Sequence, residues 1–229
     1  MRSRAYLFSI LILLSPMLLA NEVGRIASVE GTAFFHPQSQ ARGQLIGDPG
    51  GITGTGDMVR TKSHSSVGII LIDGSKLAID EKSSAIFRSE KGIDVESGTV
   101  VVDIKKHGQL SGFQIKTKTA VIGVKGTQFV VSADNNKLSV YTKEGSVSVE
   151  SIKGEFKKYR KQIKDEFAQF KQQMQKGFDQ YKQQQQREFV GFVKSVDVTA
   201  GKMISISGGD LEEVDVSQDF ENKFQLLDF

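Results

Sequence analysis

An all-β domain interrupted by one long amphipathic helix is the architecture that three observations predict. Between Val23 and Ser151 apolar residues alternate with polar ones in runs of four to six, the period of half-buried strands. Glycine follows an acidic or small residue between many of those runs, at Asp73-Gly74, Ser97-Gly98 and Glu144-Gly145, where it supplies the positive φ of tight turns. From Phe156 to Phe192 the pattern changes to an aromatic period of eleven residues, close to three turns of α-helix.

The first element is a targeting segment. Residues Met1 to Ala20 carry Arg2 and Arg4, an apolar stretch from Ala5 to Leu14, a break at Ser15-Pro16 and a small residue at Ala20. That is the form of a secretory signal peptide, and its apolar part falls short of the roughly 20 residues a spanning helix needs. No cysteine follows it, so a lipid-anchored route is closed. The expected mature protein is periplasmic or secreted.

Composition then narrows the chemistry. The 229 residues contain no Cys and three His, with 38% hydrophobic and 25% charged residues and a formal net charge of +3. Without cysteine there are no disulfides, zinc ribbons or thiol nucleophiles. His36, His64 and His107 stand in separate segments, so no metal-ligating spacing exists and no cofactor is expected. No nucleic-acid motif stands out. The charge lies in blocks: near balance from Asn21 to Ile152, basic residues about two to one from Lys153 to Val190, and seven carboxylates against one lysine from Asp210 to Phe229.

The β-domain is expected over residues 21–152, as a sandwich, jelly roll or solenoid-like stack. Its runs include Gly24 to Val29, Val67 to Ile72, Lys76 to Ile79, Thr99 to Ile104, Phe113 to Thr117, Phe129 to Ser132, Leu138 to Tyr141 and Val147 to Glu150. Several motifs fall in order within it: Gly56-Asp57 with Thr61; Leu71 to Ile79 around Asp73, Gly74 and Ser75; Val95 to Val102 around Gly98; Ile115 to Phe129 around Gly126 and Thr127; and Val140 to Val149 around Glu144 and Gly145. In order and spacing this set resembles the FecR family, and Val198 to Ile206 resembles its closing strand pair. The resemblance implies an extracytoplasmic all-β signalling or binding module, best known from the periplasmic part of iron-siderophore sensors. Those sensors carry a cytoplasmic anti-sigma segment and a spanning helix before the module. Here a signal peptide stands in that place, so the chain is not expected to pass a signal across a membrane by itself.

The helix is expected over residues 153–190, on the order of 55 Å long at 1.5 Å per residue. Its association stripe is Phe156, Tyr159, Ile163, Phe167, Phe170, Met174, Phe178, Tyr181, Phe189 and Phe192, with lysine and glutamine elsewhere. Such a stripe needs a cover. Packing back on the β-domain, self-association through a right-handed or nearly straight coiled coil, and a lipid surface facing the flanking cations all provide one. Gly177 interrupts the repeat without changing its phase. Residues 191–209 return to strand alternation and complete the β-domain, and 210–229 read as an acidic C-terminal tail.

Other signals resolve into structure. The acidic residues from Asp210 to Glu221 lack the glycine and terminal glutamate of a calcium loop. Gly54 to Asp57 and Gly123 to Thr127 lack the ending of a phosphate loop, and Ser63-His64-Ser65 lacks the context of a nucleophile elbow. No catalytic residue is assigned. The expected function is a non-enzymatic binding or scaffolding module that joins a protein partner or a second copy through the helix, with a membrane surface or cell-envelope component as a further partner. The alternative is a sensor component docking on a receptor by strand addition.

Overall fold

The computed structural model describes residues 22–229 apart from 39, 41, 107–111, 125 and 162–186. The signal segment, His107, and the stripe residues Ile163, Phe167, Phe170, Met174, Phe178 and Tyr181 therefore lie outside the described residues. Within them the all-β expectation is met by two sheets.

In chain order the strands are β1 (Glu22–Glu30), β2 (Ala33–His36), β3 (Gln44–Leu45), β4 (Ile52–Gly54), β5 (Met58–Thr61), β6 (Ser66–Leu71), β7 (Lys76–Ile79), β8 (Ser84–Ser89) and β9 (Gly92–Asp103). They continue as β10 (Phe113–Lys116), β11 (Ala120–Val124), β12 (Gln128–Asp134), β13 (Lys137–Glu144), β14 (Ser146–Ser151), β15 (Phe156–Lys161), β16 (Arg187–Val193), β17 (Ser195–Thr199), β18 (Lys202–Ser207) and β19 (Asp210–Val214). A short helix α1 (Gln218–Asn222) and a 3-10 turn (Lys223–Leu227) follow.

The first sheet runs β4-β1-β6-β7-β9-β12-β13-β18-β19-β15-β16. The second runs β3-β2-β5-β8-β9-β10-β11-β14-β17. All pairings are antiparallel except β9 with β10 and β15 with β19. Strand β9 belongs to both sheets. Its residues up to Ser97 pair with β8, and those from Gly98 onward pair with β12.

The sheets face each other across one apolar layer. Phe87, Ile93, Phe113 and Ile122 from the second sheet join Leu77, Val102, Phe129 and Val140 from the first, and Phe87, Phe113 and Phe129 are wholly buried. Alternation places every second residue there. In the middle of the first sheet the intervening residues are buried as well: Ala78, Val101, Val130, Tyr141 and Met203 form a second cluster with Phe224 and Leu227. Residues 210–229 are thus not a free acidic tail. Their first residues add strand β19, and their last ones lie on the outer face of the sheet. The apolar side chains spaced through the segment, from Phe220 to Phe229, are what fasten it there.

The expected helix is corrected at both ends. Phe156–Lys161 and Arg187–Val193 are strands paired with each other. The physical reason is visible at Phe156 and Tyr159, three apart and so on one face of a helix. On the strand they separate: Phe156 enters the inter-sheet core, and Tyr159 stacks with Phe189. Burial of Phe156 and backbone pairing to β19 outweigh a helix that would satisfy only local bonds.

Candidate interaction surfaces

The motif residues are spent on turns and corners. Asp57 accepts the backbone N–H of Gly54 at 2.7 Å through one carboxylate oxygen and that of Gln38 at 2.9 Å through the other. The neighbouring Gly56 donates its N–H to the Phe87 carbonyl at 2.6 Å. Thr61 accepts the N–H of Ser83 at 2.9 Å and donates to the Asp80 carbonyl. In the β6–β7 hairpin, Asp73 accepts the N–H of Ser75 at 2.8 Å, Gly74 takes φ 77°, and the Ser75 hydroxyl reaches the N–H of Lys105 at 3.0 Å.

Gly98 and Gly145 do not sit in hairpin turns. Gly98, at φ 89°, is the point inside β9 where the strand leaves one sheet for the other. A β-carbon there would stand 2.5 Å from the Ser83 α-carbon. Gly145 lies between β13 of the first sheet and β14 of the second. Next to it Thr127 donates to the Ser146 carbonyl at 3.1 Å, with Gly126 packed on Lys106 and Glu144 on the surface. A positive φ serves a corner as well as a hairpin. These residues come together in small groups that lock separate turns, and no single pocket collects them. Among the described residues no group of three His, Asp or Glu side chains is placed to hold a metal, and no helix is long and apolar enough to cross a membrane. An open trough of about 210 Å³ on β18 and β19 is lined by Ser205, Ser207, Asp210, Glu212 and Val214.

Two surfaces remain. The first is built by β15 and β16, where Phe156 opposes Val193, Lys157 opposes Phe192, and Tyr159 opposes Phe189. Val190 is the extra residue of a bulge between the last two pairs, and the bulge re-phases the strand so that Phe189 and Phe192 share a face. Their rings meet edge to face at 5.3 Å, and Tyr159 meets Phe189 at 5.8 Å. Phe189, Val190 and Phe192 are 50%, 49% and 59% exposed. Among the described residues β16 pairs only with β15, so it is an edge strand.

The second surface is the outer face of the first sheet with its cover. Phe224 lies edge-on to Tyr141 at 5.9 Å, under the Lys143 ammonium at 4.8 Å. Lys223 reaches Asp80 at 2.6 Å, the Tyr141 hydroxyl donates to Glu221, and Lys76 donates to the carbonyls of Leu227 at 2.7 Å and Phe229 at 2.8 Å. The Phe229 ring fills the space beside Gly68, 2.5 Å from where a β-carbon would stand. Burial, reinforced by the bond to Glu221, pushes the Tyr141 hydroxyl up to about 12. Burial works against the Lys223 ammonium, but its hydrogen bond to Asp80 and the charges of Asp80, Asp219 and Glu81 outweigh it and raise the pKa. Glu81 is held below the usual carboxylate value, chiefly by the backbone N–H of His64 at 2.7 Å.

Sequence reasoning missed this second surface. Its signal was the unbroken apolar runs Val100-Val101-Val102 and Phe129-Val130-Val131, which are longer than a strand with one wet face would carry.

Residues 57–148 match the family described as FecR protein. Two crystal structures of a proposed anti-sigma factor from Parabacteroides distasonis ATCC 8503, at 1.65 and 2.50 Å resolution, match the chain, the first of them with a similar fold. The first superposes with a TM-score of 0.50 at 11% identity over 73% of this chain, and the second with 0.49 at 11% identity over 73%. The chain spans 64% and 63% of the length of those two structures. No curated protein matches the sequence.

Proposed function

From a chain that carries a FecR domain over residues 57–148, we propose an extracytoplasmic, non-enzymatic module of signal transduction that works by binding another protein along β16. The observation behind this reading is the exposed row Phe189, Val190 and Phe192 on a strand paired on one side only among the described residues. An edge strand offers unpaired backbone groups to a partner strand, and aromatic side chains give that contact apolar area and specificity. The bulge at Val190 and the cation Lys157 opposite Phe192 limit indiscriminate pairing. Export fits the arginine-led apolar segment that opens the sequence. The motif residues support a binding role in another way: their polar groups are engaged in holding turns.

The test is site-specific photocross-linking in the native envelope. A photoreactive residue in place of Phe192 is expected to give a discrete higher-mass adduct. One in place of the exposed Lys91, on the β8–β9 turn, is expected to give none. No adduct at 192, or the same adducts at both positions, would defeat the reading.

A further inference from the structure

Beside the covering segment, the outer face of the first sheet carries a polar row. Register aligns Thr99, Ser132, Ser139, Ser205, Glu212 and Tyr159 across β9, β12, β13, β18, β19 and β15. Their chain neighbours Val100, Val131, Val140, Ile206 and Leu211 enter the inter-sheet core, so alternation turns the row outward. At roughly 4.8 Å per strand the row spans about 24 Å. Thr99 donates to the Ser132 hydroxyl oxygen at 3.0 Å, which leaves the Ser132 proton to be given away. Ser139 is only 5% exposed, and among the described residues its hydroxyl has no hydrogen-bond partner, nor have those of Ser205 and Ser207. A hydroxyl so confined and uncommitted costs free energy until a polar group reaches it. Directly opposite Ser139, Ser205 lines the trough of about 210 Å³ together with Ser207, Asp210, Glu212 and Val214.

We infer that this row binds an extended, uncharged glycan that lies across the strands with one sugar in the trough. The lining decides the class of ligand. The carboxylates of Asp210 and Glu212 repel an anion, and among the described residues no group of three His, Asp or Glu side chains is placed to hold a cation. Of the lining residues Val214 alone is apolar, too little for an apolar ligand or the anchor of a protein partner. A ligand made of hydroxyls fits what is left. Carboxylates accept from sugar hydroxyls in charge-assisted bonds, and serines both give and accept. At the end of the row the half-buried Tyr159 offers a ring to the C–H face of a sugar. The linkage follows from the spacing. A β-1,4-linked chain advances by about one strand interval per sugar, whereas an α-1,4-linked chain coils away from a straight row. The exposed residues of the β16 contact, Phe189, Val190 and Phe192, are not part of the row, so either reading stands or falls without the other.

The test uses the full chain and three hexasaccharide probes: β-1,4-linked glucose, β-1,4-linked N-acetylglucosamine, and α-1,4-linked glucose as the control. At least one β-linked probe is expected to bind with a Kd of about 1 mM or tighter, and at least about tenfold more tightly than the control. In Ser205→Leu the side chain fills the trough and removes a hydroxyl, and the affinity is expected to fall at least about tenfold. That variant leaves Phe189, Val190 and Phe192 in place, so cross-linking from position 192 is expected to continue. Titration of the unaltered chain, followed by amide chemical shifts, gives an answer whether or not the variant folds. The largest changes should fall at Ser139, Ser205, Ser207 and Glu212. Failure of both β-linked probes to bind at 1 mM, about the weakest Kd expected, would overturn the inference. So would a control that binds equally well, a folded Ser205→Leu chain of unchanged affinity, or shifts confined to another face of the molecule.

Discussion

Strand β13 is buried at five consecutive positions, Leu138 to Thr142, whereas β14, one residue further along the chain, alternates between buried and exposed throughout. Both contribute to the same inter-sheet core through Leu138, Val140, Val147 and Val149. They differ in what lies on their outer side. Tyr141 faces Phe224 of the covering segment, while Ser146, Ser148 and Glu150 face water. Alternation thus reports one wet face, and its loss reports a third layer. The described residues form two apolar layers of unequal standing, one closed by two sheets and one closed by a short terminal segment. The difference between them is open to measurement.

The largest effect is expected in the inner layer. Phe129 is wholly buried between the sheets, so Phe129→Ala should cost about 3–5 kcal/mol, read from urea unfolding. A loss under about 1 kcal/mol would mean that the inter-sheet layer is not the main core. The corner that joins the sheets comes next. Gly98→Val combines a φ of 89° with a β-carbon 2.5 Å from the Ser83 α-carbon, and should cost roughly 2–4 kcal/mol. A variant as stable as the parent would show that β9 does not need glycine to change sheets.

The inner layer was legible in the sequence and the outer layer was not, for reasons particular residues make plain. Runs such as Phe113 to Lys116 and Ser146 to Ser151 keep period two because one face is wet, and both are strands. Gly74 does turn a hairpin, but Gly98 and Gly145 serve corners between sheets, and local sequence does not separate the two uses of positive φ. The eleven-residue period is consistent with a helical stripe at Phe156 and Tyr159. The partner strand β19, more than fifty residues along the chain, is what draws them into a sheet. In the tail, seven carboxylates masked the spacing of Phe220, Phe224, Leu227 and Phe229, and only the apolar face of Ala78, Val101 and Val130 gives that spacing a purpose.

The outer layer should respond less than the inner one. Phe224→Ala removes one side of a layer that solvent can partly reach, and should cost about 1–3 kcal/mol. Amide exchange should accelerate in residues 217–229 well before it does in β12. If both accelerate equally, the two layers form one cooperative unit and the contrast fails.

Alkali should distinguish the layers without mutation. Tyr141, raised to about 12 from an ordinary 10.0, and Lys223, also raised, both hold their protons more tightly in the folded chain. Their contribution is therefore complete below about pH 10 and falls as the pH rises toward 12. Lys223 belongs to the cover and Tyr141 bonds to it from β13, so amides of residues 217–229 should lose protection across that window before the inter-sheet core melts. In Tyr141→Phe, with Lys223→Met added, that early step should disappear. Glu81 gives the opposite sign: its lowered pKa contributes above the usual carboxylate value and is lost in acid, where the loop at His64 should loosen rather than the cover.

The smallest effect on stability is expected at β16. Phe189 and Phe192 are half exposed or more, and their contacts are edge-on ring pairs. Such pairs are worth about 0.5–1.5 kcal/mol, and removing exposed apolar surface offsets part of that. Replacing both by serine should lower the unfolding free energy by about 1 kcal/mol or less. The same change should abolish the cross-linked adduct obtained when the photoreactive residue stands at Val190, the bulged neighbour of both rings. A loss above about 2 kcal/mol would instead make the aromatic row a third structural layer, because side chains that cost little to remove from the folded chain are the ones free to serve a partner.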